Sequence, residues 1–342
     1  MKTVKILFLS LAASFFIAGI GGWDQSTGAE PGAHTKPRIF IVTPMSHSSL
    51  DQSMKGFLRG LREKGYGRDK VEIEMMNAGG DYSRIPVLVK QAVSKKPALV
   101  FAVTTPAASQ AVEVTDKARI PLVYAAVTDP VAAGIVTGME ASETLATGVS
   151  DRYPVREQVK VFVSLFPKMA RAALLYNPSE ENSRRLVGQT IEHLRDRGVR
   201  GERYAVQLAS EIKGQAQKAL KECDCLIVNG DNLVTEHLKT VVTLCRDHKK
   251  PLFVGDPESV KEGAIAAVGP SYHDMGRRAG HKAAQVLGGR PVQEIPSEYP
   301  TSFHYVVNPR AAEGMGVKIP QAFWMIRDLW ESTTPQAARS CP

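Results

Sequence analysis

From Arg38 onward, short apolar runs alternate with longer stretches in which apolar residues recur every three or four positions. Arg38 to Thr43, Val71 to Met75, Leu99 to Val103 and Leu122 to Val127 have strand length. Leu50, Met54, Phe57, Leu58 and Leu61 recur at helical spacing until Gly65 stops them, and Ile85 to Val93 and Pro106 to Thr115 supply two more helices. This βαβ series predicts a parallel sheet with crossover helices. After residue 150 the logic repeats. Helices at Val155 to Leu165, Glu180 to Arg197, Glu211 to Lys221 and Leu233 to His248 separate strands at Ala172 to Tyr176, Tyr204 to Val206, Leu226 to Val228, Leu252 to Val254 and Ile265 to Val268. Met275 to Leu287 is a further helix, closed by Gly288-Gly289, and Phe303 to Val307 a late strand. Two such series predict an α/β protein with two Rossmann-like lobes, each built on a parallel sheet.

The strand ends carry the chemistry. Thr43-Pro44, Thr105-Pro106, Asn177-Pro178, Asp129-Pro130 and Asp256-Pro257 each place a small polar residue before proline, and Gly230-Asp231-Asn232 is a sixth turn of similar character. Proline suits the first helical position and the polar residue caps it, so Thr105 and Asp129 are expected to start helices. In Asn177-Pro178-Ser179-Glu180, Glu180 is placed to reach back as in a capping box. A cap alone is worth about 1 kcal/mol and explains any single junction. Six of them, three from each lobe, at the carboxyl edge of parallel sheets also describe a ligand-binding edge. Helix N-termini there favour an anion, while Asp129, Glu180, Glu181, Asp231, Asp256 and Glu258 favour a cation. Together they suit a zwitterion such as an α-amino acid.

Composition narrows the setting. The chain has 342 residues with 43% hydrophobic and 23% charged content, enough for two cores. Lys2 and Lys5 precede an uncharged apolar run from Ile6 to Ile20, too short to span a bilayer but long enough for a secretory signal. Residues 1–29 therefore read as a signal peptide and 30–37 as a linker, an uncleaved membrane anchor being the other reading, and the destination is the periplasm. The formal charge of +8 is scattered in pairs such as Lys95-Lys96 and Arg277-Arg278 without interleaved aromatics, so nucleic acid is not an expected partner. Cys223, Cys225, Cys245 and Cys341 lack metal-site spacing; Cys225 and Cys245 are expected in the core, and no metal or cofactor is expected.

Catalytic templates are missing: no G-x-G-x-x-G follows a strand, and there is no G-x-x-x-x-G-K-[ST], H-E-x-x-H or G-x-S-x-G. A two-lobed amino-acid racemase needs a cysteine in each lobe, and the first lobe has none. No catalytic residues are assigned.

Thr105 to Ala108 (TPAA), Val127 to Gly134 (VTDPVAAG), Thr147 to Asp151 (TGVSD), Tyr176 to Ser183 (YNPSEENS), Gly230 to Asn232 (GDN) and Val260 to Ala264 (VKEGA) carry a resemblance. On these motifs residues 38 to 320 resemble the ABC-transporter substrate-binding protein family, whose members include tryptophan and tyrosine binders. The resemblance implies type I periplasmic-binding architecture with a three-strand hinge, a monomer, and an ABC permease with its ATPase as partners. It implies crossovers near Gly148 to Asp151 and Gly269 to His273, giving an N-terminal lobe of 38–149 plus 272–290, a C-terminal lobe of 150–271 plus 291–320, and a tail of 321–342. Two departures stand out. The first loop, Pro44-Met45-Ser46-His47-Ser48-Ser49, offers no stacking partner for an aromatic ligand, and the family's T-D-N and S-D-E turns are here Gly230-Asp231-Asn232 and Gly255-Asp256-Pro257-Glu258.

The expected site gathers Ser46 and His47 of the first loop, Thr104, Thr105 and Ala107 at a helix start for the ligand carboxylate, and Asp129, Asp231 and Asp256 for its amine. Thr128 and Ser150 add hydroxyls, and Asn177, Glu181, Asn182, Ser183 and Asn232 close from the second lobe. The function expected is capture of a small amino-acid-like solute for an ABC importer; a periplasmic sensory receptor is the alternative, and a periplasmic hydrolase a third reading.

Overall fold

The computed structural model describes residues 36–321. The expected signal peptide, most of the expected tail and Cys341 lie outside the described residues. The first lobe runs β1 (Arg38–Thr43), α1 (Ser48–Glu63), β2 (Glu72–Asn77), α2 (Ile85–Ser94), β3 (Leu99–Val103), α3 (Thr105–Lys117), β4 (Leu122–Val127) and β5 (Ala146–Ser150). The second runs α4 (Val155–Leu165), β6 (Arg171–Tyr176), α5 (Glu181–Arg195), β7 (Arg200–Ala205), α6 (Ala209–Glu222), β8 (Cys225–Val228), α7 (Asn232–Glu236), α8 (Leu238–Asp247), β9 (Leu252–Val254), α9 (Pro257–Lys261) and β10 (Ala266–Gly269). Then come α10 (Tyr272–Leu287), β11 (His304–Val307) and α11 (Pro309–Gly314).

The first sheet has the order β2-β1-β3-β4-β5 and is parallel throughout. The second, read as β7-β6-β8-β9-β10-β11, repeats that order and adds one edge strand. That strand departs from the all-parallel expectation: β11 runs antiparallel to β10, with Ala266 opposite Val307. Antiparallel edges on parallel sheets are common, because an edge strand can arrive by a route other than a βα crossover. The central strands are buried on both faces, which is why β3 and β4 read as unbroken apolar runs. Phe57 of α1 stacks on Phe101 of β3 at 3.8 Å between ring centroids, and Phe162 stacks on Phe253 at 4.7 Å in the second lobe. Cys223, Cys225 and Cys245 are free and buried there.

Three crossings of the chain join the lobes. The first follows β5 at Ser150 and Asp151, and the second lies at Pro270 and Ser271, after which α10 returns to pack on α1. Glycine makes that packing close. A Cβ on Gly276 would overlap the carbonyl oxygen of Ser53, and one on Gly56 that of His273. The third crossing lies later than the expected boundary at 291. Ser297 N–H donates to Met139 O at 2.7 Å, Ser150 N–H to Glu298 O at 2.8 Å, and Tyr124 O–H to Ser297 at 2.7 Å. This segment therefore lies beside β5, and the buried Lys282 of α10 holds it through Glu298 at 2.7 Å. The charged Lys282 is stable there because Pro296 O and Glu298 accept its protons.

Candidate functional site

The carboxyl ends of both sheets face each other, and the lobes meet there. Ser49 O–H donates to Asp256 at 2.6 Å, Ser48 O–H to Glu262 at 2.5 Å, and Tyr82 O–H to Glu180 at 2.6 Å. Arg185 pairs with Asp129 at 2.7 Å. Between these contacts lies a cavity of about 10 Å³, near the room one water needs.

Its walls come from three sources. The first lobe supplies His47, Thr104 and Ala126; the second supplies Asn182, Gly230, Asp231, Asn232, Thr235 and Asp256; the crossings supply Asp151, Tyr153 and Tyr272. Thr104 and Ala126 hold φ of +87° and +57°, conformations that side-chain-bearing residues rarely adopt. Each costs of order 1–3 kcal/mol, and such strain concentrates at ligand sites because it sets the backbone where binding needs it. Ala126 sits at the irregularity where β4 shifts register against β5.

The expected capping chemistry is rearranged. Thr105 makes no cap; its hydroxyl accepts the Thr128 N–H at 3.3 Å, and the first turn of α3 has no side-chain cap. Asp129 does not start a helix. It accepts the Ala132 N–H at 3.0 Å in a turn that closes at Ile135, so its local role ends within one turn. Glu180 does not reach back onto α5 either. It is fully buried and accepts from the N–H groups of Asn232 and Leu233, at 3.2 and 3.1 Å, at the start of α7. The carboxylate thus sits at the positive end of another helix, where it is better compensated than at its own N-cap position.

These placements sort the expected residues. His47, Thr104, Asn182, Asp231, Asn232 and Asp256 line the cavity. Ser183, through its hydroxyl at 2.6 Å, and Asn177, through its N–H, hold Asp231 from behind. Ser150 binds the carbonyl of Thr128 at 3.2 Å. Ser46 is exposed and accepts from Asn77 at 2.7 Å, while Ala107 is buried against the first sheet. Neither Ser46, Ala107, Glu181 nor Asp129 lines the cavity.

The three aspartates expected to meet an amine have protein partners already. Asp129 has Arg185; Asp231 accepts from Val234 N–H at 2.8 Å, Asn177 N–H and Ser183 O–H; Asp256 accepts from Ser49, Ser259 N–H and Ser259 O–H. The uncommitted buried atoms of the cavity lie elsewhere: His47 Nδ1, Thr104 Oγ1, Asp151 Oδ1 and Asn182 Oδ1. Thr104, Asp151 and Asn182 are 3%, 4% and 4% exposed, so water does not satisfy them freely. Burial raises the Asp151 carboxyl to about 6. It also raises Asp231, with the Glu180 charge adding, and lowers His47, which favours the neutral ring. Among the described residues no Lys or Arg lines this cavity.

Asp151, Tyr153 and Tyr272 were not among the expected site residues. Tyr153 donates to the Tyr272 hydroxyl at 2.7 Å, which donates on to Asp151 Oδ2 at 3.2 Å. The first loop still supplies no aromatic ring; the two tyrosines of the cavity wall come from the crossings. The available signal was position: a residue beside a crossing borders both lobes.

Relatives bear on this arrangement. Residues 38–326 match the family described as ABC transporter substrate binding protein. A tyrosine-binding protein from Clostridioides difficile (strain R20291) is 30% identical over 304 residues, covering 86% of this chain and 88% of the relative. The crystal structure of an ABC domain in complex with L-Trp from Streptococcus pneumonia is 31% identical and superposes with a TM-score of 0.81 over 85% of this chain and 98% of that one. A ligand-free, open substrate-binding protein with adhesive properties from Clostridium difficile, at 28% identity, covers 83% of this chain and 96% of its own with a TM-score of only 0.62. The better fit to the complex agrees with the contacts that draw the lobes together here. With two lobes of type I periplasmic-binding architecture and a polar cavity between them, this chain belongs to the ABC transporter substrate-binding protein family.

Proposed function

We propose that the protein is exported, captures a small zwitterionic, amino-acid-like solute between its lobes, and delivers it to an ABC permease driven by an ATPase. One observation carries the reading: four buried polar atoms without partners belong to residues that line a cavity holding three carboxylates and, among the described residues, no Lys or Arg. Leaving such atoms unmet costs about 1–3 kcal/mol each, so a ligand that meets them gains that amount. Its cationic end belongs with the carboxylates. Its carboxylate belongs at the uncapped first turn of α3, where the Thr105 and Ala107 N–H groups and the helix dipole favour an anion. The relatives named for tyrosine and found with L-Trp are consistent with such a ligand. Hinged closure explains how a solute larger than the cavity enters, since the interlobe hydrogen bonds must break and re-form around it.

A thermal-shift and calorimetric screen of amino acids, amines and sugars against the purified protein tests this. An amino acid at 100 times its dissociation constant stabilises by about 2.7 kcal/mol. Stabilisation by a sugar and by no amino acid would refute the reading.

A further inference from the structure

Behind the cavity, inside the second lobe, lies a polar cluster that takes no part in its walls. Gln158 of α4, Asn229 after β8 and Thr190 of α5 are 0%, 2% and 0% exposed. The strand ladders stop beside it: β8 pairs with β9 as far as Val228 and Val254, and β9 with β10 as far as Val254 and Ala267. Past those ends the Gln158 side chain takes over. Its Nε2 donates to Val268 O at 2.6 Å and to Gly255 O at 3.3 Å. Carbonyls only accept, so this nitrogen is fixed and Gln158 Oε1 must accept in turn, which it does from Asn229 Nδ2 at 2.9 Å. Asn229 Nδ2 also donates to Thr190 Oγ1 at 3.2 Å, whose own proton goes to Leu186 O at 2.7 Å. Each role follows from the one before, and the series ends in one bare atom, Asn229 Oδ1. That oxygen is turned to Gly255, where a Cβ would lie 2.3 Å from it.

Position in the chain gives the cluster its reach. Asn229 precedes Gly230 and Asp231, and Gly255 precedes Asp256, so the cluster joins from behind the two turns that carry the second lobe's carboxylates in the cavity. One ring spans the distance between them. A Cβ on Gly255 would lie 3.0 Å from Tyr153 Cε1 and one on Gly230 3.3 Å from Tyr153 Cε2, so the ring lies against both turns at once. Tyr153 belongs to the first crossing and its hydroxyl meets that of Tyr272 on α10, so both turns are seated against the hinge. We propose that Gln158 is a positioning residue for solute capture: by tying the Gly255 turn to Asn229 it makes the Asp231 and Asp256 turns one rigid piece that seats Tyr153. Buried amides suit this task. Both nitrogens are fully used as donors, so the cluster admits one arrangement, whereas apolar packing at the same place would let the turns slide.

Hydrogen exchange followed by NMR on the intact, ligand-free protein tests the coupling. Asp231 holds the Val234 N–H and Asp256 the Ser259 N–H, so these two amides report on the two turns. In Gln158→Met and in Asn229→Ala both amides are expected to exchange about tenfold faster, as the loss of one buried hydrogen bond implies. Faster exchange of Ser259 alone in the first variant, or of Val234 alone in the second, overturns the proposal; either variant suffices should the other not fold. Capture is the second arm and rests on the ligand reading above. At a temperature where every variant is folded, Gln158→Met is expected to bind the standard L-amino acid that stabilises wild type most about tenfold more weakly. Ile212→Ala, which removes core volume from α6 and lowers stability too, is expected to keep wild-type affinity. Equal affinity in Gln158→Met overturns its role in capture. If wild type binds no amino acid, the ligand reading fails, and the exchange rates alone support or overturn the tie between the turns.

Discussion

Tyr82 and Glu180 face each other across the cleft, the phenol of one lobe donating to the buried carboxylate of the other at 2.6 Å. The same carboxylate caps α7 and orients the asparagines of the cavity, so lobe closure and site geometry share one group.

Removing that phenol leaves Glu180 Oε1 with the Leu233 N–H and opens one link between the lobes. A hydrogen bond to a charged group contributes about 1.5–3 kcal/mol, part of which water recovers when the lobes part. Tyr82→Phe is therefore expected to release bound amino acid about tenfold faster, with association little changed. Stopped-flow dissociation rates equal to wild type would show that this contact does not hold the closed form.

Binding should weaken in acid. Burial raises Asp151 to about 6, and it shares the cavity with Asp231, Asp256, neutral His47 and the Tyr153 and Tyr272 hydroxyls. An ammonium against Asp151 favours its ionised form, so binding expels a proton below about pH 6 and affinity falls as the pH drops further. The stability of the ligand-free protein is expected to depend on pH in the opposite sense. Asp151 binds its proton more tightly folded than unfolded, so its contribution to stability is complete below about pH 4 and is lost as the pH rises through about 6. Calorimetry between about pH 5 and 8 checks the first statement; amino-acid affinity constant across that range would contradict it.

Gly276 has no room for a methyl group, because the added Cβ meets the Ser53 carbonyl of the facing helix. Backbone cannot yield as a flexible side chain does, so Gly276→Ala is expected to destabilise by about 1–3 kcal/mol or more. Urea denaturation measures this, and a variant as stable as wild type would mean that α1 and α10 separate cheaply.

Asp129 should matter little to the ligand. Its pair with Arg185 is partly exposed, and such pairs contribute about 0–1 kcal/mol and weaken with salt. Arg185→Ala is expected to change affinity less than fivefold, with the difference shrinking as salt is added; a large, salt-independent loss would move the site towards Asp129.

Both lobes were legible in the sequence because buried parallel strands are written as apolar runs and their helices as periodic ones. β5, Ala146–Ser150, was read only as a crossing, since Thr147, Gly148 and Ser150 interrupt its apolar character. The segment around Ser297 misled for a similar reason: it joins the first sheet through a single bridge between Val149 and Glu298, which leaves no periodic mark. At the site, residue type identified the edge but not which acceptors were free. Asp129, Asp231 and Asp256 look alike in sequence to Asp151, yet the first has Arg185 and the next two cap helices. The caps themselves are local, to Val234 and Ser259 three residues on, but the remaining partners lie 48 to 207 positions away, such as Ser183 for Asp231 and Ser49 for Asp256. Glu180 shows the same limit, because a capping box is a local pattern and its real partners at Asn232 and Leu233 belong to another helix.

The most direct measurement is the affinity of Asp151→Asn for whichever amino acid stabilises wild type most, taken at about pH 7.5 beside Asp129→Asn. Truncating a buried charge partner costs 2–5 kcal/mol or more, so Asp151→Asn is expected to bind at least roughly thirtyfold more weakly. Asp129→Asn should stay within about fivefold of wild type. The reverse pattern, with Asp129→Asn crippled and Asp151→Asn unaffected, would contradict the account.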